Sequence, residues 1–181
     1  MASLHIRTFG DPVLRQRADE VARVTDVHRR LIEDMLETMR EAPGVGLAGP
    51  QVGVMERIFV WEVGDEHGVV INPKIVGRSG DKVEEEEGCL SLPGIYYPVR
   101  RDAEVVVEGL DADGSPVRLE ANDLLARVCQ HEIDHLDGVL FIDHLPEQER
   151  KEALAVLREQ ALGLPTPAPS GATRATEAET L

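Results

Sequence analysis

The sequence is poor in cysteine and in positive charge, and it contains no long apolar run. Two cysteines, Cys89 and Cys129, are too few for a disulfide framework, so they are expected to be thiols or metal ligands. No N-terminal stretch joins a basic start to an apolar core, and nothing approaches the ~18 consecutive apolar residues of a membrane span. These absences predict a soluble, cytoplasmic protein that does not contact the membrane.

The charge balance is strongly acidic. Lys and Arg number 19 against 34 Asp and Glu, for a net charge of −15. Nucleic-acid affinity comes largely from Lys and Arg that displace counterions, so direct nucleic-acid binding is not expected.

With 181 residues and 42% apolar content, the chain is long enough for one core. We predict one catalytic domain over 1–163 and a disordered Pro/Ala/Thr/Glu tail over 164–181.

Hydrophobic periodicity predicts three helices and antiparallel strands. The helices are predicted at 26–41, from Asn122 or Asp123 to Leu136, and from Pro146 to Gly163. The strands are predicted at 57–63, 69–76, 104–110 and 117–120, the last two joined as a hairpin, and 44–51 is expected to be a glycine-rich loop. The fold class predicted is therefore α+β, with antiparallel β-sheets around a central helix and with N-terminal and C-terminal helices.

The central helix carries the motif QHEIDHLDG at 130–138. Residues four apart share one helix face, so His131 and His135 can bind one ion, while Glu132, about 100° round the helix, stays near the metal without binding it. Leu124 and Val128 lie on the same side as the histidines. This HExxH pattern indicates a metal hydrolase but does not specify the substrate.

The third metal ligand has several candidates. Cys129 points about 200° away from the histidines and is expected in the core. A glutamate of the last helix, Glu149, Glu152 or Glu159, would give the ligand set of a thermolysin-like peptidase. Cys89 lies in EGCLS, where small residues let the backbone approach a metal closely, and a thiolate is a strong ligand for zinc or Fe(II). Cys89 is the favoured ligand.

Three motifs together resemble the signatures of the peptide deformylase family. They are GVGLAGPQ at 44–51, EGCLS at 87–91 and QHEIDHLDG at 130–138, in that family's order and approximate spacing. The resemblance extends from about residue 4 to about residue 162. It implies a metal-dependent hydrolase that removes the N-formyl group from N-formyl-methionyl nascent peptides and releases formate.

The resemblance also implies a role for each site residue. Cys89, His131 and His135 would bind one divalent metal, natively Fe(II), for which Zn, Ni or Co can substitute. Glu132 would carry the proton, and the Gln51 amide and the backbone N–H of Leu90 would hold the oxyanion. The residues expected to contact the substrate are Gly44, Val45, Gly46, Glu87, Leu124 and Val128.

Two other functions are compatible with the HExxH motif. The first is an HExxH zinc peptidase that cuts internal peptide bonds, and the second is a non-catalytic module that keeps the metal only to hold the fold or to dock on the ribosome.

The predicted last helix has three basic and four acidic side chains. Because such a helix gains little from RNA phosphates, we expect only weak or transient association with the ribosome.

Overall fold

A computed structural model describes residues 3–164 and 180–181. Most of the predicted disordered tail, 165–179, lies outside the described residues. The helices are α1 (Asp26–Glu41), α2 (Asp123–Leu136) and α3 (Glu147–Ala161). The strands are β1 (Gly46–Ala48), β2 (Ile58–Val63), β3 (Glu66–Arg78), β4 (Lys82–Glu87), β5 (Tyr97–Asp102), β6 (Glu104–Leu110) and β7 (Pro116–Asn122). The predicted α+β class is confirmed.

The larger sheet is antiparallel, with the strand order β1-β2-β3-β6-β7. Its strand β2 is buried on both faces, because Phe59 and Trp61 enter one apolar cluster and Ile58 and Val60 enter another. Successive side chains of a strand point to opposite faces, so a continuous apolar run is what a doubly covered strand requires. Helix α1 covers one face of this sheet, and α2 covers the other.

The smaller sheet, a β4-β5 ladder, was not predicted from the sequence. Strand β4 reads KVEEEE and has no apolar alternation, so hydrophobic pattern could not reveal it. Opposite charges across the ladder stabilise it, as in the ion pair between Lys82 and Asp102, whose charged atoms are 2.7 Å apart. Strand β1 was also missed, since its three residues form a strand only by pairing with β2.

Helix α2 lies between the two sheets. It contacts β1, β2, β6 and β7 of the larger sheet and β5 of the smaller one. The helix ends at Leu136, as predicted, with Asp137 as its C-cap and Gly138 at φ +73°. A Cβ at Gly138 would lie 2.8 Å from the backbone oxygen of Arg15, so this glycine also allows the N-terminal segment to approach closely.

Helices α1 and α3 have the predicted positions, with Pro146 capping α3 rather than beginning it. Leu157 of α3 is buried in the apolar cluster that holds Cys89 and Leu92, and Leu154 packs against it. Helix α3 is therefore docked on its own domain. In residues 3–164 and 180–181, no helix has the length and apolar content of a membrane span.

Candidate metal centre

Three side chains from distant parts of the chain converge on one point. Their ligand atoms, from Cys89, His131 and His135, lie within 4.8 Å of one another. The Sγ of Cys89 is 3.2 Å from Nε2 of His135, and the two histidine Nε2 atoms are also 3.2 Å apart. All three residues are buried. A thiolate and two imidazoles suit a tetrahedral ion that keeps one position open, as catalytic zinc-type sites do.

Local structure aims each ligand at this point. The histidines lie one turn apart on α2, as the spacing predicted. Cys89 follows the end of β4, and its carbonyl oxygen accepts a hydrogen bond from the backbone N–H of Leu92 in a tight turn. This turn places the Cys89 thiol, which follows the smaller sheet in the chain, beside His135 of α2.

Glu87 fixes the orientation of His131. Its Oε1 is 2.6 Å from Nδ1 of His131, which leaves Nε2 of that imidazole for the metal. The same carboxylate accepts from Arg101 at 2.6 and 3.1 Å and from Arg127 at 2.8 Å. Burial alone would raise the pKa of Glu87, but the hydrogen bonds and charges of His131 and Arg101 outweigh it and hold that pKa far below its usual value.

This geometry corrects the expected role of Glu87. A substrate contact requires an accessible carboxylate, whereas Glu87 is 1% exposed and both of its oxygens already have partners in the protein. The guanidinium of Arg101 also donates to the carboxylate of Asp134 at 2.6 Å, and Nε2 of His144 lies 2.7 Å from that Asp134 carboxylate. Glu87 therefore belongs to the layer behind the metal ligands.

Sequence reasoning missed Arg101 and Arg127. One signal was available, since Arg127 stands four residues before His131 on a mostly apolar helix, where a buried arginine needs a carboxylate partner. Nothing local identifies Arg101 within its strand, because its contact with Glu87 depends on the pairing of β4 with β5, in which Arg101 lies opposite Val83.

Burial affects the ionisation of two of the candidate ligands. Burial raises the pKa of the Cys89 thiol far above its usual value, and the charges of Glu132 and Glu87 add to this effect. Burial and the neighbouring His131 lower the pKa of His135 well below its usual value, so its imidazole is neutral as a metal ligand must be. Coordination deprotonates a thiol outright, so the donor set fits a divalent cation.

Glu132 lies within this site without binding a partner. In the described part of the chain, neither of its carboxylate oxygens has a hydrogen-bond partner, although the residue is fully buried. Burial, reinforced by the charges of Glu87 and Asp134, raises the pKa of Glu132 well above its usual value. A carboxylate with a raised pKa and free lone pairs is suited to accept a proton.

Gly46 leaves the space that Glu132 occupies. A Cβ at Gly46 would lie 2.3 Å from Oε1 of Glu132 and 3.0 Å from Cγ1 of Val128. We predict that Gly46→Ala displaces the carboxylate and lowers kcat by roughly 10²-fold, the cost of misplacing a catalytic group by about 1 Å. Gly80→Ala is a control for loss of stability alone, since the φ of +83° at Gly80 disfavours a side chain but a Cβ there meets nothing within 4 Å. Unchanged kcat in Gly46→Ala would contradict this account of the site.

Gln51 presents its amide N–H group to the metal centre. Its Oε1 accepts a hydrogen bond from the Ala48 backbone at 2.7 Å, which turns Nε2 toward Sγ of Cys89 at 3.8 Å and Oγ of Ser91 at 3.4 Å. The side chain is therefore held rigidly beside the ligands. The backbone N–H of Leu90, next to Cys89, donates to the main-chain oxygen of Leu181 at 2.8 Å.

The other residues expected to contact substrate lie near the candidate ligands, and we call the space between residues 44–46 and Leu90 the cleft. Gly44 approaches Leu90 so closely that a Cβ would lie 2.7 Å from Cδ1 of that leucine. Val128 is buried in the cluster between α2 and the larger sheet, and Val45 and Leu124 pack against that cluster. The cleft thus has main-chain donors beside an apolar surface.

The alternative third ligands do not reach the histidines. In residues 3–164 and 180–181, the single group that could hold a metal consists of Cys89 and the two histidines. Cys129 lies in the core cluster, as predicted, where burial raises the pKa of its thiol to about 12. The glutamates of α3 are outside this group, which removes the basis for the thermolysin-like ligand set.

Comparisons with known proteins agree with these features. The family model described as polypeptide deformylase matches residues 3–151. The peptide deformylase of Acidothermus cellulolyticus is 51% identical over 159 residues, covering 88% of this chain and 88% of that protein. Peptide deformylase 1 of Corynebacterium glutamicum is 48% identical over 165 residues, covering 89% and 98%. The crystal structure of Ehrlichia chaffeensis peptide deformylase in complex with actinonin matches with a TM-score of 0.85 and 38% identity, covering 88% of this chain and 98% of that chain.

Proposed function

The chain belongs to the polypeptide deformylase family, and from this premise we propose that Cys89, His131 and His135 hold the metal ion of a deformylase active site. The protein is a metallohydrolase that removes the N-formyl group from nascent peptides. The observation that carries the proposal is the convergence of three buried ligand atoms beside a buried carboxylate that has no partner among the described residues.

The proposed division of labour follows from these positions. When bound, a divalent cation polarises the formyl oxygen and lowers the pKa of water toward ~7. Glu132 accepts a proton from the attacking water and then donates it to the departing amine of methionine. Nε2 of Gln51 and the N–H of Leu90 donate to the formyl oxygen as negative charge develops, and one such donor is typically worth ~2.7–4 kcal/mol of the barrier.

The peptide chain of the substrate is proposed to bind in the cleft beside the metal. We propose that the backbone of Gly44, Val45 and Gly46 pairs with an extended peptide, and that Leu124 and Val128, which lie at the apolar cluster beside it, contact the first side chain of that peptide. We also propose that 1–163 forms the single catalytic domain and that the enzyme works in the cytoplasm, without direct nucleic-acid or membrane contact.

Formate release tests the function directly. Protein purified anaerobically should release formate from formyl-Met-Ala-Ser, with its bound metal quantified in the same sample. Actinonin, the compound bound in the Ehrlichia chaffeensis structure, should inhibit the reaction. Cleavage of unformylated peptides without formate release would instead support an endopeptidase.

We propose Fe(II) as the native metal, supported by a ligand set that combines a thiolate with two imidazoles. The iron form is predicted to lose activity in air and under peroxide, because a thiolate beside an oxidisable metal is exposed to oxidation from sulfenate to sulfonate. Substitution by Ni or Zn should slow this decay. An iron form that stays active in air, with its metal content verified, would contradict the prediction.

Weak and transient ribosome association is proposed from the charges of α3. Two of the three basic side chains of this helix already have acidic partners, since Lys151 lies 2.6 Å from Glu147 and Arg150 lies 3.4 Å from Asp143. We expect little co-sedimentation with ribosomes at ~150 mM salt. Strong co-sedimentation that vanishes in an Arg150→Glu, Lys151→Glu variant, and persists in a chain ending at Leu164, would overturn the proposal.

A further inference from the structure

Thr180 and Leu181 lie in the cleft beside the metal centre, although they follow α3 in the sequence. The Val45 N–H donates to the carbonyl oxygen of Thr180 at 2.9 Å, and Gly44 pairs with Thr180 as neighbours in parallel strands do. The Leu90 N–H donates to the main-chain oxygen of Leu181 at 2.8 Å. This pair of residues therefore binds main-chain groups on both walls of the cleft.

The side chains of the pair are held as well. Leu181 is 1% exposed and belongs to the same apolar cluster as Val128. Oγ1 of Thr180 lies 3.2 Å from the phenol oxygen of Tyr96. An extended backbone with a buried apolar side chain is the binding mode of a peptide that adds to a strand edge.

We propose that Thr180 and Leu181 are an internal competitor of the substrate, which occupies the peptide cleft until a formylated peptide displaces it. The inference rests on the proposed function, because the N–H groups of Val45 and Leu90 are the ones assigned there to the substrate. A single N–H cannot donate fully to both an internal ligand and the formyl oxygen. The docked state is thus unable to form the complete oxyanion site.

The connection through 165–179 makes the competition intramolecular. A ligand that is covalently joined to the protein it binds competes at an effective concentration that can reach the order of mM. Such a competitor raises the apparent Kd for substrate, because the apparent Kd equals the intrinsic Kd divided by the fraction of molecules in which the cleft is open. It does not change the chemistry once substrate is bound. The expected signature is a raised KM with an unchanged kcat.

Kinetics of three holoenzyme variants test the proposal. A chain ending at Leu164 and the full-length Leu181→Asp variant should both lower KM for formyl-Met-Ala-Ser by roughly 3–10-fold at constant kcat, and should lower the Kd of actinonin by the same factor. Leu164→Asp is the matched control, because this leucine is 52% exposed, and it should behave as the unmodified protein. The synthetic peptide Ala-Glu-Thr-Leu, added to the shortened chain, should inhibit competitively.

Hydrogen exchange gives a readout that does not depend on activity. The amides of Val45 and Leu90 should exchange faster in the shortened chain and in Leu181→Asp than in the unmodified protein or the control. Equal KM and equal exchange in all variants would overturn the inference, and so would a KM that rises with enzyme concentration, since docking would then occur between copies. Absence of formate release from every variant would refute the proposed function. Hydrogen exchange at the Val45 and Leu90 amides would still show whether Thr180 and Leu181 dock in the cleft.

Discussion

Replacing Glu132 by alanine or by glutamine is expected to reduce deformylation by several orders of magnitude while the protein still binds its metal. General acid–base catalysis by a positioned side chain typically contributes ~10²–10⁴-fold, and Glu132 is proposed to act both as base and as acid in this reaction. Its carboxylate lies outside the group of ligand atoms that could hold the ion. The measurements are kcat for formate release and metal content of the same preparations.

The control for this prediction is Glu120→Gln, which makes the same chemical change at a side chain that is 79% exposed on β7. It should keep both activity and metal. Loss of metal together with activity in Glu132→Gln would make Glu132 a ligand and would contradict its assignment as the proton carrier. The glutamine variant is informative because it keeps the volume of the side chain and removes only its ability to ionise.

The two cysteines should respond oppositely to replacement by serine. Cys89→Ser removes the thiolate that completes the ligand set, so metal affinity should fall by more than the ~10–100-fold caused by loss of an outer partner. Cys129→Ser should retain the ion and lose only stability, about 1–3 kcal/mol for a hydroxyl buried in an apolar cluster. Competition with a chelator measures affinity, and thermal unfolding measures stability.

Both serine variants bury a hydroxyl of the same size, so each is the control for the other. Equal metal retention by the two would contradict the assignment of Cys89. Loss of metal from Cys129→Ser alone would contradict the position of that residue in the core, because its thiol would then have to reach the histidines.

Local pattern in the sequence determined the parts of the site that one element supplies. His131, Glu132 and His135 lie on a single helix, where a period of 3.6 residues sets their relative directions, so two ligands and a neighbouring base could be predicted. The bounds of α1 and the hairpin of β6 and β7 were predictable for the same reason, since periodicity and turn residues are local signals. Cys89 was favoured as the third ligand because of the small residues around it and the chemistry of a thiolate, whereas Gln51 was linked to the site only through the resemblance of three ordered motifs.

Only the tertiary structure decided the features that depend on long-range pairing. The acidic strand β4 pairs with β5, which carries Arg100 and Arg101, and this pairing brings the guanidinium of Arg101 within 2.6 Å of the Glu87 carboxylate, behind the proposed metal ligands. Thr180 and Leu181 carry no motif, and their contacts with the cleft exist only because β1 and the turn after β4 meet across it. Charge compensation and backbone pairing between distant segments have no sequence period, so folding had to bring these residues together before their roles could be recognised.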